Sequence, residues 1–417
     1  MAEGDPARCP VDFDHFSPEH AAHWPARWAE MREQCPHAWT ERHGGFWVVT
    51  RYRDIVAIAQ RPEDFSPAKY QDPETGESRG GLAIPELPGL RFIPNEVDPP
   101  EWSGYRTFLN RRFSPKTIDA LKGRARQFAA ALVDRVIEQG HLDIVDDLAS
   151  PLPALMMIEI FGFRPDEWRS FSDPFHKMVY TPADAPEFLE TMRGLDYFAR
   201  RVDEEIALRR VEPKDDLLGL LANGEMDGRL LTDEEIQNIA FNLMGGGIDT
   251  TTALTSNTLL YLARHPDLRS RLAADPALWP VAREEFLRWV TPIHGLARTA
   301  IRDSDVDGWE VRKGDRLLLA YSAGNRDPEI FDDPDAVKID RFPNKHIAFG
   351  AGMHRCLGSF LARMMYETMV TEVLARIPDY AIVEADIQPY ETVARVNGWV
   401  RIPATFTPGP KVGAVIA

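Results

Sequence analysis

The stretch "IAFGAGMHRCLGSFLAR", Ile347 to Arg363, decides how the chain is read. It sets Cys356 among Gly350, Gly352 and Gly358, with His354 and Arg355 beside it, and runs into "SFLARMMYETMVTEVLARI", an amphipathic helical pattern. The common fate of a lone cysteine is to be a small buried hydrophobe. Here the glycines remove side chains, which lets backbone approach a bulky flat group, and amides at a helix start favour a thiolate. A zinc site would enlist His354 and His346, but structural zinc takes four ligands at spacings such as paired C-x-x-C. A nucleophilic thiol is an open alternative that explains the glycines less well than a large cofactor does. A large cofactor explains thiol and glycines together.

Working outward, 417 residues at 44% hydrophobic composition suffice for one large core or two ordinary domains. A formal charge of −17 argues against nucleic acid and anionic membranes, because polyanions would be repelled. The three cysteines, Cys9, Cys35 and Cys356, are too few for a disulfide framework or a four-cysteine iron–sulfur cluster, and fit a reducing compartment. No uncharged apolar run approaches the roughly 18 to 20 residues that cross a bilayer. "MAEGDPARCPVDF" lacks the charged-then-apolar order of a signal segment. The expectation is a soluble, cytoplasmic protein.

Near the N-terminus "HWPARWAEMREQC" suits an amphipathic helix and "GGFWVVTRY" a short strand after a glycine turn. Ser66 to Pro100 is dense in Pro and Gly and reads as a long loop. From Ala120 to about His265 the period is helical. After Pro292 it changes: "GWEVRKGDRLLLAYSAG" reads as two strands about a "KGD" turn, and "ETVARVNGWVRIPATF" as a further strand segment. The fold class is mainly α with small β-sheets (α+β), with no internal repeat.

The opening stretch matches F-x-x-G-x-H-x-C-x-G through Phe349, Gly352, His354, Cys356 and Gly358. That resembles the haem-binding loop of the cytochrome P-450 family, a highly specific signal. "REEFLRWVTP" supplies the family's E-x-x-R pair as Glu285 and Arg288. Taken alone this would be a surface ion pair of a few tenths of a kcal/mol. With "NRDP" at Asn325 to Pro328 and Arg341 in "DRFPNKH", it looks like the family's structural network supporting the haem loop.

"FNLMGGGIDTTTALTSN" carries the third match. Thr232 and Glu235 form a capping box, from which some thirty residues run without proline to His265. Three successive glycines weaken such a helix by up to about 1 kcal/mol each relative to alanine, so something requires them. A phosphate loop is rejected, since there is no Lys-Ser/Thr and no preceding strand. Close helix packing explains one glycine more readily than three. In the family, the long helix over the haem's distal face carries a glycine, an acid and an alcohol, here Gly246 or Gly247, then Asp249 and Thr250. The resemblance makes Asp249 and Thr250 catalytic, a carboxylate and a hydroxyl that deliver protons to oxygen. Thr250 can also bond a carbonyl one turn back.

The resemblance implies one P-450 domain over residues 1–417, with a β-rich lobe at about 40–70, 294–323 and 380–417. The helical lobe falls at about 100–292 and 356–377. The cofactor is haem b (iron protoporphyrin IX), with Cys356 as axial thiolate. Phe349, Gly350, Gly246 and Gly358 line it, and Arg298, His354 and Arg106 meet its propionates. Many bacterial members place His where Trp102 stands, whose indole donates one bond and carries no charge. Matching substrate positions are Asn242, Gly245, Gly246, Ile293, His294 and Val396.

The expected reaction is O2-dependent hydroxylation or epoxidation of a compact apolar molecule, a terpenoid or substituted aromatic carrying one oxygen function. The class is similar to the camphor-hydroxylating type. The chain has neither a dinucleotide fingerprint nor an iron–sulfur cysteine set, so electrons come from a separate ferredoxin and its NAD(P)H-dependent reductase. Arg111, Arg112 and Arg355 are the candidate basic dock on an acidic protein. The rival readings are a peroxide-driven peroxygenase or non-redox haem-thiolate enzyme, against which the Asp249–Thr250 pair argues, and a haem sensor.

Overall fold

The computed structural model describes residues 9–72, 75–87, 89, 91–181 and 185–416. It divides into two compact units. The first comprises Met1–Ser103, Glu284–Cys356 and Glu391–Asn397; the second comprises Gly104–Arg283, Leu357–Tyr390 and Gly398–Ala417. Helices dominate, as the periodicity predicts.

The first unit is built on six short strands. These are β1 (Cys9–Pro10), β2 (His37–Thr40), β3 (Phe46–Val49), β4 (Phe65–Ser66), β5 (Leu296–Ala300) and β6 (Arg316–Leu319), in spatial order β1-β2-β3-β6-β5-β4. β3 reads "FWVV" and is buried at every position, because both faces of the sheet are covered. Alternation sorts its residues: Trp47 and Val49 join Ile55, Phe65, Leu317 and Leu319 in one cluster, while Phe46 and Val48 join Phe13, Trp28, Met31 and Leu318 in another. Each fully buried side chain of this size contributes about 1.5–3 kcal/mol.

Three expectations need adjustment here. Cys9 and Cys35 are joined by a disulfide, Cα atoms 6.0 Å apart, and Cys356 stands outside it. The strands flanking "KGD" exist but do not pair with each other. Trp309–Val311 pairs with Ser304–Val306 instead, around Asp307 and Gly308, both at positive φ as a two-residue hairpin turn demands, while β6 joins the main sheet. The Ser66–Pro100 loop contains a hairpin, Lys69–Gln71 with Ser78–Gly80. Residues 73, 74, 88 and 90 of that loop lie outside the described residues.

The second unit is helical. Three of its helices matter below: α1 (Trp168–Tyr180), α2 (Asp233–Arg264) and α3 (Ser359–Arg376). α2 starts where the capping box places it, the Glu235 N–H donating to Thr232 Oγ1 at 3.2 Å and the Thr232 N–H to the Glu235 carboxylate at 2.7 Å. Burial alone would raise the Glu235 carboxyl. The Arg229 guanidinium, Tyr105 hydroxyl and Thr232 amide outweigh burial and hold it down at about 2. The C-terminal strand segments also lie in this unit, Ala381–Ile382 and His141–Asp143 pairing on either side of Pro403–Thr405. No helix of the described residues is long and apolar enough to cross a membrane.

Candidate functional site

The loop from Ile347 to Gly358 is held by its own backbone. The Gly350 N–H donates to the Ile347 carbonyl and the Cys356 N–H to the Phe349 carbonyl, both at 2.9 Å. Its glycines do different jobs. Gly352 has φ +69°, and a Cβ there would stand 2.1 Å from the Ala59 carbonyl oxygen, so only glycine fits between the two backbones. A Cβ on Gly350 would meet only the Tyr321 hydroxyl, at 3.8 Å, and one on Gly358 would meet nothing within 4 Å. Cys356, between those two glycines in sequence, is exposed. The Phe349 ring lies 6.0 Å from that of His346, and Trp102 approaches His354 edge to face at 5.5 Å.

Beneath this loop the Glu285–Arg288 pair is fully buried, which removes the surface reading. Both bridging bonds are 2.8 Å, and each partner is satisfied further. Arg288 donates to the carbonyls of Asn325, Pro334 and Ala336, while Glu285 accepts from Arg341 Nε, the Lys338 amide and Asn344 Nδ2. Asn325 Oδ1 accepts the Ile347 N–H at 2.7 Å. Arg288 therefore connects in two steps, through Asn325, to the first residue of the cysteine loop, with Glu285 and then Arg341 bonded behind it.

Arg298, on β5, is 3% exposed and donates Nη1 to the Ala297 carbonyl. It also faces Asp98, whose carboxyl burial raises, with the Ser66 hydroxyl and Arg298 pulling the other way. Trp102 and Arg106 stand four apart on the helix Glu101–Phe113, hence on one face, each half-buried. The asparagine after Val396 anchors that turn beside Ile293: the Asn397 N–H donates to the Pro292 carbonyl at 2.8 Å and its Nδ2 to the Val290 carbonyl at 2.9 Å. Val396 is buried and Ile293 partly so. His294 is buried edge-on to Trp24, with ring centroids 4.4 Å apart. Burial, with the nearby His20 and Arg326, pushes its imidazole well below the ordinary range, so it is neutral.

The second unit carries the remaining residues. Along α2 the three glycines separate by role. A Cβ on Gly245 would press on the Phe175 ring at 3.2 Å and one on Gly247 on Met157 Sδ at 2.6 Å, whereas Gly246 faces open space. Helix packing thus explains two of them, and Gly246 is the one it leaves unexplained. The Thr250 hydroxyl donates to the Gly246 carbonyl at 2.8 Å, the bond one turn back. Asn242 lies one turn before Gly246, partly buried. Asp249 is 2% exposed, and its Oδ1 accepts from His176 Nδ1 of α1 at 2.6 Å. Sequence reading missed His176: in "SFSDPFHKMVY" it is one polar residue on an amphipathic helix, with no spacing to mark it.

Among the described residues, Cys356, His354 and His346 do not bring ligand atoms together as a bare metal site would. A single exposed thiol near glycines whose side-chain space is open suits one bond to a large flat group, so the residues fit a haem-thiolate cofactor. The model for Cytochrome P450 matches residues 195–275 and 282–377. A steroid C26-monooxygenase of Mycolicibacterium smegmatis is 32% identical over 88% of this chain and 89% of its own. The linalool 8-monooxygenase of Pseudomonas putida is 33% identical over 83% of this chain and 87% of its own. Among solved structures, Mycobacterium marinum cytochrome P450 CYP268A2 in complex with pseudoionone superposes with a TM-score of 0.85 at 26% identity, over 96% of this chain and 100% of that one. The chain therefore belongs to the cytochrome P450 family, as one of its monooxygenases.

Proposed function

We propose that the chain holds haem b through the Cys356 thiolate and uses it to hydroxylate or epoxidise a compact apolar molecule. The observation that carries this reading is the α2 triplet: Gly246 open, Thr250 bonded back onto it, and a buried Asp249 next in sequence. When bound, the haem would supply oxygen activation, with electron density donated by the Cys356 thiolate. The chain's own residues supply the rest. The buried Glu285 network fixes the loop that presents the thiol; Arg298, His354 and Arg106 take the propionates, with Trp102 as a neutral donor beside His354. Asp249 and Thr250 hold and move protons. Ile293 and Val396 are the apolar candidates for substrate contact, and Gly246 leaves room on the helix, whereas Gly245 is taken up by packing on Phe175. Asn242 and His294 are the candidates for a single polar contact to substrate. Relatives named for a steroid and for linalool support the same substrate class.

Electrons come, in this reading, from a separate ferredoxin and its NAD(P)H-dependent reductase in the cytoplasm. Arg112 is paired with the Asp215 carboxylate, and Arg111 and Arg355 are the more exposed of the three candidate basic contacts, hence the ones to reverse. Charge reversal at Arg111 and Arg355 slows reduction at low salt, measured by stopped flow with a surrogate ferredoxin; unchanged rates refute the dock. The test of the whole reading is the ferrous carbon-monoxide spectrum together with NADH-dependent oxygen use in that reconstituted system. Absence of the thiolate band in the native chain, or its survival in Cys356→Ser, defeats the ligand assignment. A substrate panel read by ligand-induced haem shifts then tests the polar contact, which fails if featureless hydrocarbons alone bind.

A further inference from the structure

The proton-handling role given to Asp249 leaves its surroundings unexplained. A carboxylate 2% exposed in a helix core is costly unless it is paired. One oxygen is paired: Oδ1 accepts from His176 Nδ1 at 2.6 Å. The other, Oδ2, is buried and has no hydrogen-bond partner among the described residues. The Tyr390 hydroxyl lies 3.3 Å from the same Nδ1, and the Tyr180 ring stacks on that of Tyr390 at 5.1 Å while meeting His176 edge to face at 5.3 Å. The charged and titratable groups facing His176 are Asp249 on α2, Asp146 in the segment Ile144–Ala149, Asp173 and Tyr180 on its own helix, and Tyr390. The carboxylates all favour a proton on the ring, and the two phenols stay neutral, raised by burial and by Asp249.

We propose that His176 is the proton store behind Asp249: an imidazolium that positions the carboxylate through Nδ1 and hands it a proton during turnover. The inference rests on the monooxygenase reading above and names the partner that refills its acid. A proton leaves His176 Nδ1 and adds to the Asp249 carboxylate, converting an ion pair into a neutral imidazole and a carboxylic acid. Pulling an anionic Asp249 off a histidinium inside the protein is costly, whereas the neutral acid can turn away cheaply. Proton transfer therefore releases the acid to deliver its proton, with Oδ2 already free of other bonds. The His176 side chain is 13% exposed, enough for water to return a proton to the ring. Burial works against a charged His176, but the Asp249 charge and hydrogen bond outweigh it, and its pKa lies above the ordinary 6.5.

The test uses the haem-loaded protein and two readouts. Ring resonances of His176 in histidine-labelled ferric protein, assigned by their loss in His176→Gln, titrate above 6.5 in the native chain and fall in Asp249→Asn. Titration at or below 6.5, unmoved by Asp249→Asn, overturns the proposal without any turnover assay. In turnover, His176→Gln keeps a hydrogen bond but stores no proton. It lowers product formed per O2 consumed by roughly tenfold or more, while His176→Lys, which keeps a cation, recovers part of the loss. Equal coupling in native and His176→Gln protein sinks this proposal and leaves the monooxygenase reading standing. A native protein with thiolate spectrum but no NADH-dependent product sinks both.

Discussion

At the residue scale, the glycines carry the sharpest consequences because each answers a different constraint. Gly352 sits at positive φ against a backbone oxygen, so Gly352→Ala meets both a left-handed penalty of about 1–2 kcal/mol and a clash with Ala59 that no rotamer relieves. The expected outcome is a loss of more than about 2 kcal/mol in denaturant unfolding, with weakened haem retention. Gly246→Ala should do the opposite to stability, gaining up to about 1 kcal/mol of helix propensity because its Cβ meets nothing. If that open space serves cofactor and substrate, the same variant loses ligand-induced haem shifts while its unfolding midpoint holds or rises. A Gly246→Ala chain that is both more stable and fully responsive to ligands would remove Gly246 from the site. The sequence marks the triplet as anomalous but cannot apportion it: Phe175 and Met157, which account for Gly245 and Gly247, lie some seventy to ninety positions upstream.

At the element scale, the buried network joins helix Trp279–Val290 to the cysteine loop through a chain of polar contacts. Arg288 is 0% exposed, and three carbonyls plus Glu285 depend on it. Arg288→Ala strands the Glu285 carboxylate and those carbonyls without a donor, a loss of about 3–5 kcal/mol. Apoprotein unfolding and haem content should fall together, and a variant with native haem content and unfolding midpoint would show that the network does not support the loop. Much of this element was legible from E-x-x-R, because i, i+3 spacing fixes which helix face the pair shares. Its burial was not, since the carbonyls of Asn325, Pro334 and Ala336 lie roughly forty to fifty residues downstream. The hairpin at Asp307–Gly308 was legible in principle: "DG" between alternating strands is a stronger turn signal than "KGD". The cysteine loop and the α2 start were readable because glycines, caps and ligands act over a few residues. His176 was not, because its partner stands 73 positions away.

At the scale of the whole molecule, covalent and ionisation state both bear on the first unit. The Cys9–Cys35 bond closes a loop of 26 residues and should contribute about 3 kcal/mol while intact, so thiol titration of unfolded protein gives one group without reductant and three with it. The same unit buries His15 and His20 as neutral rings. Burial drives both from 6.5 down to about 4, partly offset at His15 by the bond from Nε2 to the Ile84 carbonyl. The sign follows from linkage. In the unfolded chain these imidazoles take up protons below 6.5, whereas in the fold they resist until about 4, so the unfolded state binds more protons throughout that interval. Stability is therefore full above 6.5 and falls as the pH drops toward 4, each ring costing at most about 3 kcal/mol. Melting temperature followed from neutral to acid pH should decline across that window before most carboxylates protonate. His20→Phe, which keeps the ring packing against Phe13 and Trp28 without a titratable nitrogen, should flatten the decline. An identical pH profile in that variant would mean that the acid sensitivity arises elsewhere, since a ring that no longer titrates cannot couple folding to protons.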